Sequence, residues 1–194
     1  MFIKTLELFP TVVGDCFRQD LVEPVMKIID ETKDWRLRGS QSNNILTPEL
    51  KKEFTNEVSN YLSEILKYDN EIVMTTSWIA RIDKNTPRNY HCHMNSWWSA
   101  VFYCQDDSRL NLENTPTPQI YVRPNEYTRE NSDSWTLQAN RGSLIIFPSN
   151  TLHTSVPYNY EGFRYSIAMN FMPVGLVGEQ DSQVQYNRTI GDSW

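Results

Sequence analysis

The chain of 194 residues has a net charge of −6 and is 39% hydrophobic, a composition typical of a folded domain rather than a disordered one. Proteins that bind nucleic acids or anionic membranes need an excess of Lys and Arg, so the acidic charge argues against both partners. No segment approaches the ~20 apolar residues of a membrane span, and the first residues lack the layout of a signal peptide. The three scattered cysteines favour a reducing compartment, and we expect a cytoplasmic protein.

The first part of the chain is predicted to be mainly helical. A strand is expected at residues 3–9, and the segment LVEPVMKIIDETK predicts a helix that begins at residues 22–24. A longer helix is predicted to begin with Thr47 as its N-cap and Pro48 as its first residue. Its apolar residues recur at helical spacing, at Leu50, Phe54, Val58, Tyr61, Leu62, Ile65 and Leu66. We expect both helices to support a hydrophobic core rather than to carry function.

From Glu71 onward the pattern indicates strands and turns. Runs rich in β-branched and aromatic residues occupy residues 71–83, 98–105, 118–124, 134–139, 143–149, 152–157 and 163–173. This order favours a mainly β fold, such as a sandwich, barrel or jelly roll, with the N-terminal helices packed on one outer face. A polar loop is expected from Asp106 to Pro118, and a polar, mobile tail after Pro173.

Two of the three histidines, His91 and His93, stand one residue apart. In an extended strand their side chains project in the same direction, so the pair can bind one ion together. His153 lies on a later strand, after enough chain to return beside the pair. Imidazole suits iron, zinc, copper and nickel, so the residues do not name the ion. Histidines that only form ordinary hydrogen bonds are the alternative at this level.

The strand at residues 163–173 carries a candidate binding residue. Alternation places its large apolar side chains on one face and Arg164, Ser166, Ala168 and Asn170 on the other. Small side chains beside one arginine suit a cavity that admits a ligand, and a guanidinium matches a carboxylate at two points. The alternative is a solvated outer face with a surface arginine.

Together these motifs resemble the iron(II)- and 2-oxoglutarate-dependent oxygenases. The resemblance is carried by H-x-H at His91, the strand SAVFY, the segment GSLIIFPSNTLHTSVP, and R-x-S at Arg164 followed by AMNF. It extends to LELFPT and GSQSNNIL and so covers most of the chain to about Pro173. The sequence is most similar to a family of these oxygenases that is common in phages and marine bacteria.

The resemblance implies a double-stranded β-helix, which is a jelly-roll or cupin-like barrel whose open mouth holds a metal. In a single domain of this kind, residues 1–69 would supply a strand and supporting helices, residues 70–173 the barrel, and residues 174–194 a C-terminal tail. The implied cofactors are Fe(II), 2-oxoglutarate as cosubstrate, and molecular oxygen. The implied reaction hydroxylates a C–H bond of an unidentified substrate and releases succinate and carbon dioxide.

The resemblance also implies roles for individual residues. His91, His93 and His153 match the metal ligands, and Arg164 and Ser166 match the residues that hold the far carboxylate of 2-oxoglutarate. Tyr103 is a candidate for a further hydrogen bond to the cosubstrate. The candidates for the substrate side of the site are Trp78, Arg81, Trp97 and Trp98.

The chain departs from the superfamily pattern at the second ligand, where His-x-Asp or His-x-Glu is usual and His93 stands instead. In a second register His93 would be the first ligand and Asn95 would occupy the second position. An amide oxygen is a weaker ligand for Fe(II) than an imidazole, which favours the site with three histidines.

Two other functions stay open at this level. One is a non-catalytic, cupin-like sensor or structural protein that holds zinc or nickel. The other is a three-histidine iron dioxygenase that does not use 2-oxoglutarate, although the R-x-S motif after His153 favours the cosubstrate. We expect a small-molecule or peptide substrate, and the location of a phage-encoded protein would be the host cytoplasm. The sequence is compatible with a homo-oligomer.

Overall fold

The computed structural model describes residues 10–32, 44–84, 88–114, 123–156 and 162–186. Within these ranges the helices are α1 (Val22–Glu31) and α2 (Pro48–Asn60). The strands are β1 (Gly14–Phe17), β2 (Glu71–Asp83), β3 (Trp98–Tyr103), β4 (Ser108–Glu113), β5 (Ser134–Ala139), β6 (Ser143–Pro148), β7 (Leu152–Ser155), β8 (Phe163–Val177) and β9 (Val184–Tyr186). Short 3-10 turns lie at Gln19–Leu21 and Gln180–Ser182.

Helix α2 begins as its sequence predicts. The Thr47 hydroxyl accepts a hydrogen bond of 3.4 Å from the backbone N–H of Leu50, and Pro48 is the first helical residue. The apolar stripe predicted beyond Asn60 is only partly confirmed. The chain widens there into a π-helical turn at Tyr61–Ile65, which buries Leu62 and leaves Ile65 66% exposed.

Among the described residues, all strand pairs are antiparallel and form two sheets. The large sheet has the order β1-β6-β3-β8-β2, with β9 paired to β8, and the small sheet has the order β5-β4-β7. Buried side chains from both sheets form one cluster, which consists of Tyr103, Ile145 and Phe147 from the large sheet and Leu110, Leu112 and Ala139 from the small one. The two sheets therefore face each other, as the predicted double-stranded β-helix requires.

The helices cover the outer face of the large sheet, as predicted. Phe54 of α2 packs against Phe102 of β3 with ring centroids 5.0 Å apart, and Tyr61 meets Trp98 edge-on at 5.8 Å. Both faces of β8 are consequently buried from Ser166 to Phe171, one under the helices and the other between the sheets. This excludes the alternative in which the polar face of β8 is a solvated surface.

Four sequence predictions differ from the structure or lie wholly or mostly outside its described part. Strand β4 lies within the loop predicted from Asp106 to Pro118, because Leu110 and Leu112 turn inward while polar side chains alternate outward. The tail predicted after Pro173 instead continues β8 and returns as β9, with Gly178 in the turn at a φ of 89°. The strands predicted at residues 3–9 and 118–124 lie outside the described residues, apart from 123 and 124.

Among the helices that the structure describes, none is both long and apolar enough to cross a membrane.

We predict that Phe54→Ala lowers the free energy of unfolding by about 3 to 5 kcal/mol, because the Phe54 side chain is fully buried between α2 and the sheet. Urea denaturation followed by circular dichroism measures this quantity. The matched control is Phe17→Ala, since Phe17 is 63% exposed, and its effect should stay within about 1 kcal/mol. Equal effects of the two variants would contradict the packing described here.

Candidate metal centre

The backbone brings His91 and His153 together. The N–H of His91 donates to the carbonyl of His153 at 3.0 Å, and the N–H of His153 donates to the carbonyl of His91 at 2.9 Å. This pair continues the small sheet beyond β7, so both side chains lie on the same face. Their ring centroids are 4.4 Å apart.

His93 completes a cluster of three imidazoles. Its ring centroid lies 5.2 Å from that of His91 and 5.1 Å from that of His153. One nitrogen of each ring lies within 4.8 Å of the corresponding nitrogens of the other two, a spacing that one metal ion can bridge. Among the described residues, no other group of His, Cys, Asp and Glu side chains meets this spacing.

Two of the imidazoles are oriented by backbone carbonyls. The Nδ1 atom of His91 lies 3.0 Å from the carbonyl oxygen of Asn89, and the Nδ1 atom of His153 lies 2.9 Å from that of Thr151. A carbonyl oxygen only accepts, so in both rings Nδ1 carries the proton and the lone pair of Nε2 is available to a metal.

The cluster sits at the edge of the interior. His153 is 4% exposed, His93 is half-buried, and His91 is open to solvent. Burial, together with the neighbouring imidazoles, lowers the pKa of both His93 and His153 from 6.5 to about 4. Both rings are therefore neutral at physiological pH, which is the form that binds metals. Trp78 lies beside His93 and Phe147 beside His153, with ring centroids 5.4 Å and 4.7 Å apart.

The inner face of β8 carries the predicted carboxylate-binding residues. Arg164 has a side chain that is only 13% exposed, with a guanidinium nitrogen 3.9 Å from the carboxylate of Asp107. Ser166 is buried and lies directly opposite Tyr103 in the pairing of β8 with β3. Alternation along β8 places Arg164, Ser166 and Asn170 on one face, and Asn170 reaches His93. Arg164 and Asn170, the neighbour of His93, therefore lie on the same face of β8.

Tyr103 is buried between the sheets and is 1% exposed. Its hydroxyl has no hydrogen-bond partner among the described residues. Burial raises the pKa of this phenol above its ordinary value of 10.0, so the group stays protonated and can donate. A buried hydroxyl without a partner is costly, which points to an acceptor supplied by a ligand.

The four residues predicted for the substrate side do not all lie at the site. Trp78 does, because it pairs with Ala168 on the inner face of the large sheet and contacts His93. Arg81 does not lie beside the histidines: it pairs with Tyr165 on the opposite face, where its guanidinium lies 4.2 Å from the ring centroid of Phe163.

The two tryptophans that follow the histidine pair also lie away from the cluster. Trp98 is buried in the core under the helices, and Trp97 packs edge-on against Tyr68 with ring centroids 5.0 Å apart. Both side chains pack with the core cluster under the helices, and Trp97 escapes the alternation of β3 because it precedes the first residue of that strand.

Asn95, the ligand in the second register, lies exposed in the turn after His93. The backbone pairing unites His91 with His153 and does not include Asn95. This arrangement favours the register in which His91 is the first ligand.

Three polar residues behind His93 were not predicted to belong to the site. The Ser99 hydroxyl lies 2.8 Å from the hydroxyl of Ser149 and 2.8 Å from the side-chain oxygen of Asn170, and the amide nitrogen of Asn170 lies 3.5 Å from Nδ1 of His93. Alternation in the sequence placed Asn170 on the polar face of its strand, which was the available signal. The serines could be found only from the strand register.

The sequence matches the model of a protein family described as "Putative 2OG-Fe(II) oxygenase" over residues 76–170. The matched segment extends from β2 to β8 and includes the three histidines, Arg164 and Ser166. No curated protein matches the sequence significantly.

Several solved structures share the fold at low sequence identity. The non-heme alpha-ketoglutarate-dependent carbocyclase SnoK from nogalamycin biosynthesis gives a TM-score of 0.60 at 10% identity, covering 91% of this chain and 83% of its own. HygX from Streptomyces hygroscopicus, with nickel and 2-oxoglutarate bound, gives 0.58 at 10% identity, covering 84% and 82%. The viral collagen prolyl hydroxylase of Paramecium Bursaria Chlorella virus-1 gives 0.54 at 11% identity, covering 88% and 97%.

These structural similarities establish the double-stranded β-helix fold, and the family match adds the activity and its cofactors, Fe(II), 2-oxoglutarate and oxygen. They do not test the predicted relation to phage and marine bacterial proteins. The family match over residues 76–170 indicates an iron(II)- and 2-oxoglutarate-dependent oxygenase.

Proposed function

We propose that this oxygenase binds its iron through His91, His93 and His153, holds 2-oxoglutarate with Arg164, Ser166 and Tyr103, and hydroxylates a C–H bond of its substrate. One observation carries the proposal. Three histidines from two separate parts of the chain place ring nitrogens within 4.8 Å of one another, at the edge of the interior that also contains Arg164.

The donor set suits Fe(II). Imidazole nitrogen is a good ligand for this ion, and His91 and His153 already hold the tautomer with a free Nε2. Since His93 replaces the usual carboxylate, the three ligands are neutral and leave the full charge of the ion uncompensated. A more positive centre attracts the doubly negative cosubstrate more strongly.

The face beside the histidines suits a dicarboxylate. This face carries three donors: a largely buried guanidinium, a buried serine hydroxyl, and a buried phenol that has no hydrogen-bond partner among the described residues. A carboxylate accepts hydrogen bonds from all three kinds of group. Arg164 supplies the positive charge that keeps the carboxylate ionised away from bulk water. The donor set therefore fits the far end of 2-oxoglutarate better than it fits an apolar ligand.

When bound, the iron and 2-oxoglutarate supply the activation of oxygen and the oxidation of the substrate. The chain supplies orientation and shelter. Backbone carbonyls hold the rings of His91 and His153, while Trp78 and Phe147 pack against the cluster and limit access of water to its inner side. His91 lies on the open side, where a substrate can approach.

We further propose that the substrate is a small molecule or peptide and that the protein works in the cytoplasm. The net charge of −6 disfavours a polyanionic substrate such as nucleic acid. Cys16, Cys92 and Cys104 are all free thiols, which suits a reducing compartment.

The proposed activity predicts that purified protein supplied with Fe(II), oxygen and 2-oxoglutarate releases succinate, slowly without substrate and faster when the substrate is present. His153→Ala should abolish this release, because it removes the most buried ligand. Chromatography of the reaction mixture measures succinate directly. A folded, iron-loaded wild-type protein that releases no succinate with or without a panel of candidate substrates would contradict the activity.

Arg164→Leu is expected to weaken binding of 2-oxoglutarate by about 10- to 100-fold, since a charge-assisted pair with a carboxylate is lost. Binding of Fe(II) should change little. Isothermal titration with each component, performed without oxygen, separates the two constants. Arg109→Leu is the matched control because Arg109 is exposed on β4 and should leave both constants unchanged. Equal losses of iron and cosubstrate in Arg164→Leu would indicate a structural arginine.

In the presence of a chelator, the free energy of unfolding should fall as the pH decreases from about 6.5 towards 4. The pKa of His93 and of His153 is about 4 in the folded protein and 6.5 in the ordinary state, so between these values the unfolded chain binds more protons. Urea denaturation at a series of pH values measures the slope. The double variant His93→Gln, His153→Gln should have a shallower slope, and an unchanged slope would show that these rings are not the cause.

A further inference from the structure

We infer that Asn170 is a positioning residue that sets the tautomer of His93, so that all three histidines present Nε2 to the metal. The inference rests on the proposed metal site and adds a residue outside the predicted ligands and cosubstrate anchors. It follows from the contrast between the partner of His93 and the partners of the other two rings.

The Nδ1 atoms of His91 and His153 face backbone carbonyls, which fix their protons. Among the described residues, no main-chain carbonyl bonds the Nδ1 atom of His93, which instead lies 3.5 Å from the amide nitrogen of Asn170, while the amide oxygen accepts from Ser99. An amide can present either an acceptor or a donor. The tautomer of His93 therefore depends on which end of Asn170 faces the ring.

The surroundings of Asn170 hold its amide in place but allow both orientations. Asn170, Ser99 and Ser149 are 4%, 2% and 0% exposed, and the Ser99 hydroxyl bridges the other two at 2.8 Å each. In one orientation Ser149 donates to Ser99 and Ser99 donates to the oxygen of Asn170. In the other, the amide nitrogen of Asn170 donates to Ser99 and Ser99 donates to Ser149. The structure shows the first orientation. The second forms the same number of hydrogen bonds among the three groups, since the nitrogen and oxygen of an amide occupy interchangeable positions.

Only one of these orientations suits a metal at Nε2 of His93. If the amide nitrogen faces the ring, Nδ1 accepts and the proton of the neutral imidazole lies on Nε2, where it blocks the metal. If the amide oxygen faces the ring, Nδ1–H donates to it and the lone pair of Nε2 is free. Asn170 then acts on His93 as the carbonyls of Asn89 and Thr151 act on His91 and His153.

The backbone keeps His93 within reach of this partner. The N–H of His93 donates to the carbonyl of Ser149 at 2.8 Å, and the N–H of Ser149 donates to the carbonyl of Trp97 at 3.1 Å. The turn that carries His93 is thus bonded to Ser149, which is also the first member of the hydrogen-bonded row Ser149–Ser99–Asn170. The ring is packed on another side by Trp78. Ser149 therefore helps to fix both the turn that carries His93 and, through Ser99, the side chain of Asn170.

The test measures affinity for Zn²⁺ and Ni²⁺ by competition with a chromophoric chelator. We expect Asn170→Ala to weaken both affinities by roughly 10- to 100-fold, the usual effect of removing a hydrogen-bond partner of a ligating histidine. Asn170→Asp should restore them to near the wild-type value, because a carboxylate oxygen accepts from Nδ1–H. Asn131→Ala is the matched control, since Asn131 bonds the backbone of Thr128 and Glu126 in an exposed turn.

A second measurement does not depend on the stability of a variant. The chain has only three histidines, so long-range ¹H–¹⁵N spectra of the zinc-loaded wild-type protein contain few ring nitrogens to assign. We expect all three Nδ1 atoms to be protonated and all three Nε2 atoms to bind zinc. Coordination of His93 through Nδ1 would overturn the inference, even if Asn170→Ala failed to fold.

The variants also separate this inference from the proposed site. Wild-type affinity in Asn170→Ala, or equal losses in folded Asn170→Ala and Asn170→Asp, would overturn the role of Asn170 and leave the three-histidine site intact. A wild-type protein that binds neither Zn²⁺ nor Ni²⁺ would overturn the proposed site, and the inference with it.

Discussion

The backbone pair between His91 and His153 is the interaction on which the site depends. Its two hydrogen bonds, of 2.9 and 3.0 Å, tie a segment outside the regular strands to the edge of the small sheet. A pair of this kind fixes both the separation and the common face of two side chains, so two of the three ring nitrogens are placed by the main chain alone. Only the third ring, His93, depends on side chains for its orientation. The hydrogen-bonded side chains of Ser149, Ser99 and Asn170 accordingly lie next to His93, the one ring that the backbone pair does not place.

Strand β8 contributes to both the hydrophobic core and the candidate metal centre, because both of its faces are buried. Ile167, Met169 and Phe171 pack under the helices, while Arg164, Ser166 and Asn170 face the interior between the sheets. A change in the packing of the helices on β8 would therefore shift Arg164, Ser166 and Asn170 together. The fold accommodates a polar group there because Asn170 is bonded to Ser99.

Much of this arrangement could be predicted from residue spacing, and the failures have physical causes. The shared face of His91 and His93 and the polar face of β8 follow from the two-residue period of a strand. Whether that polar face meets solvent or a second sheet depends on β4, whose sequence SRLNLE is too polar to be distinguished from a loop by composition. Trp97 and Trp98 are near His93 in sequence but turn to the helices, and Asn170 meets His93 only through the register of β8 beside β3. Long-range register of this kind is not encoded in any local pattern.

The central claim is that three neutral histidines hold an iron which 2-oxoglutarate chelates beside Arg164. Anaerobic titration of the wild-type protein with Fe(II) and then 2-oxoglutarate, followed by visible absorption, tests it most directly. The account predicts a metal-to-ligand charge-transfer band that appears only when both components are present, saturates at one equivalent of each, and is absent in His153→Ala. A folded wild-type protein that binds one equivalent of iron but develops no band on addition of 2-oxoglutarate would contradict it.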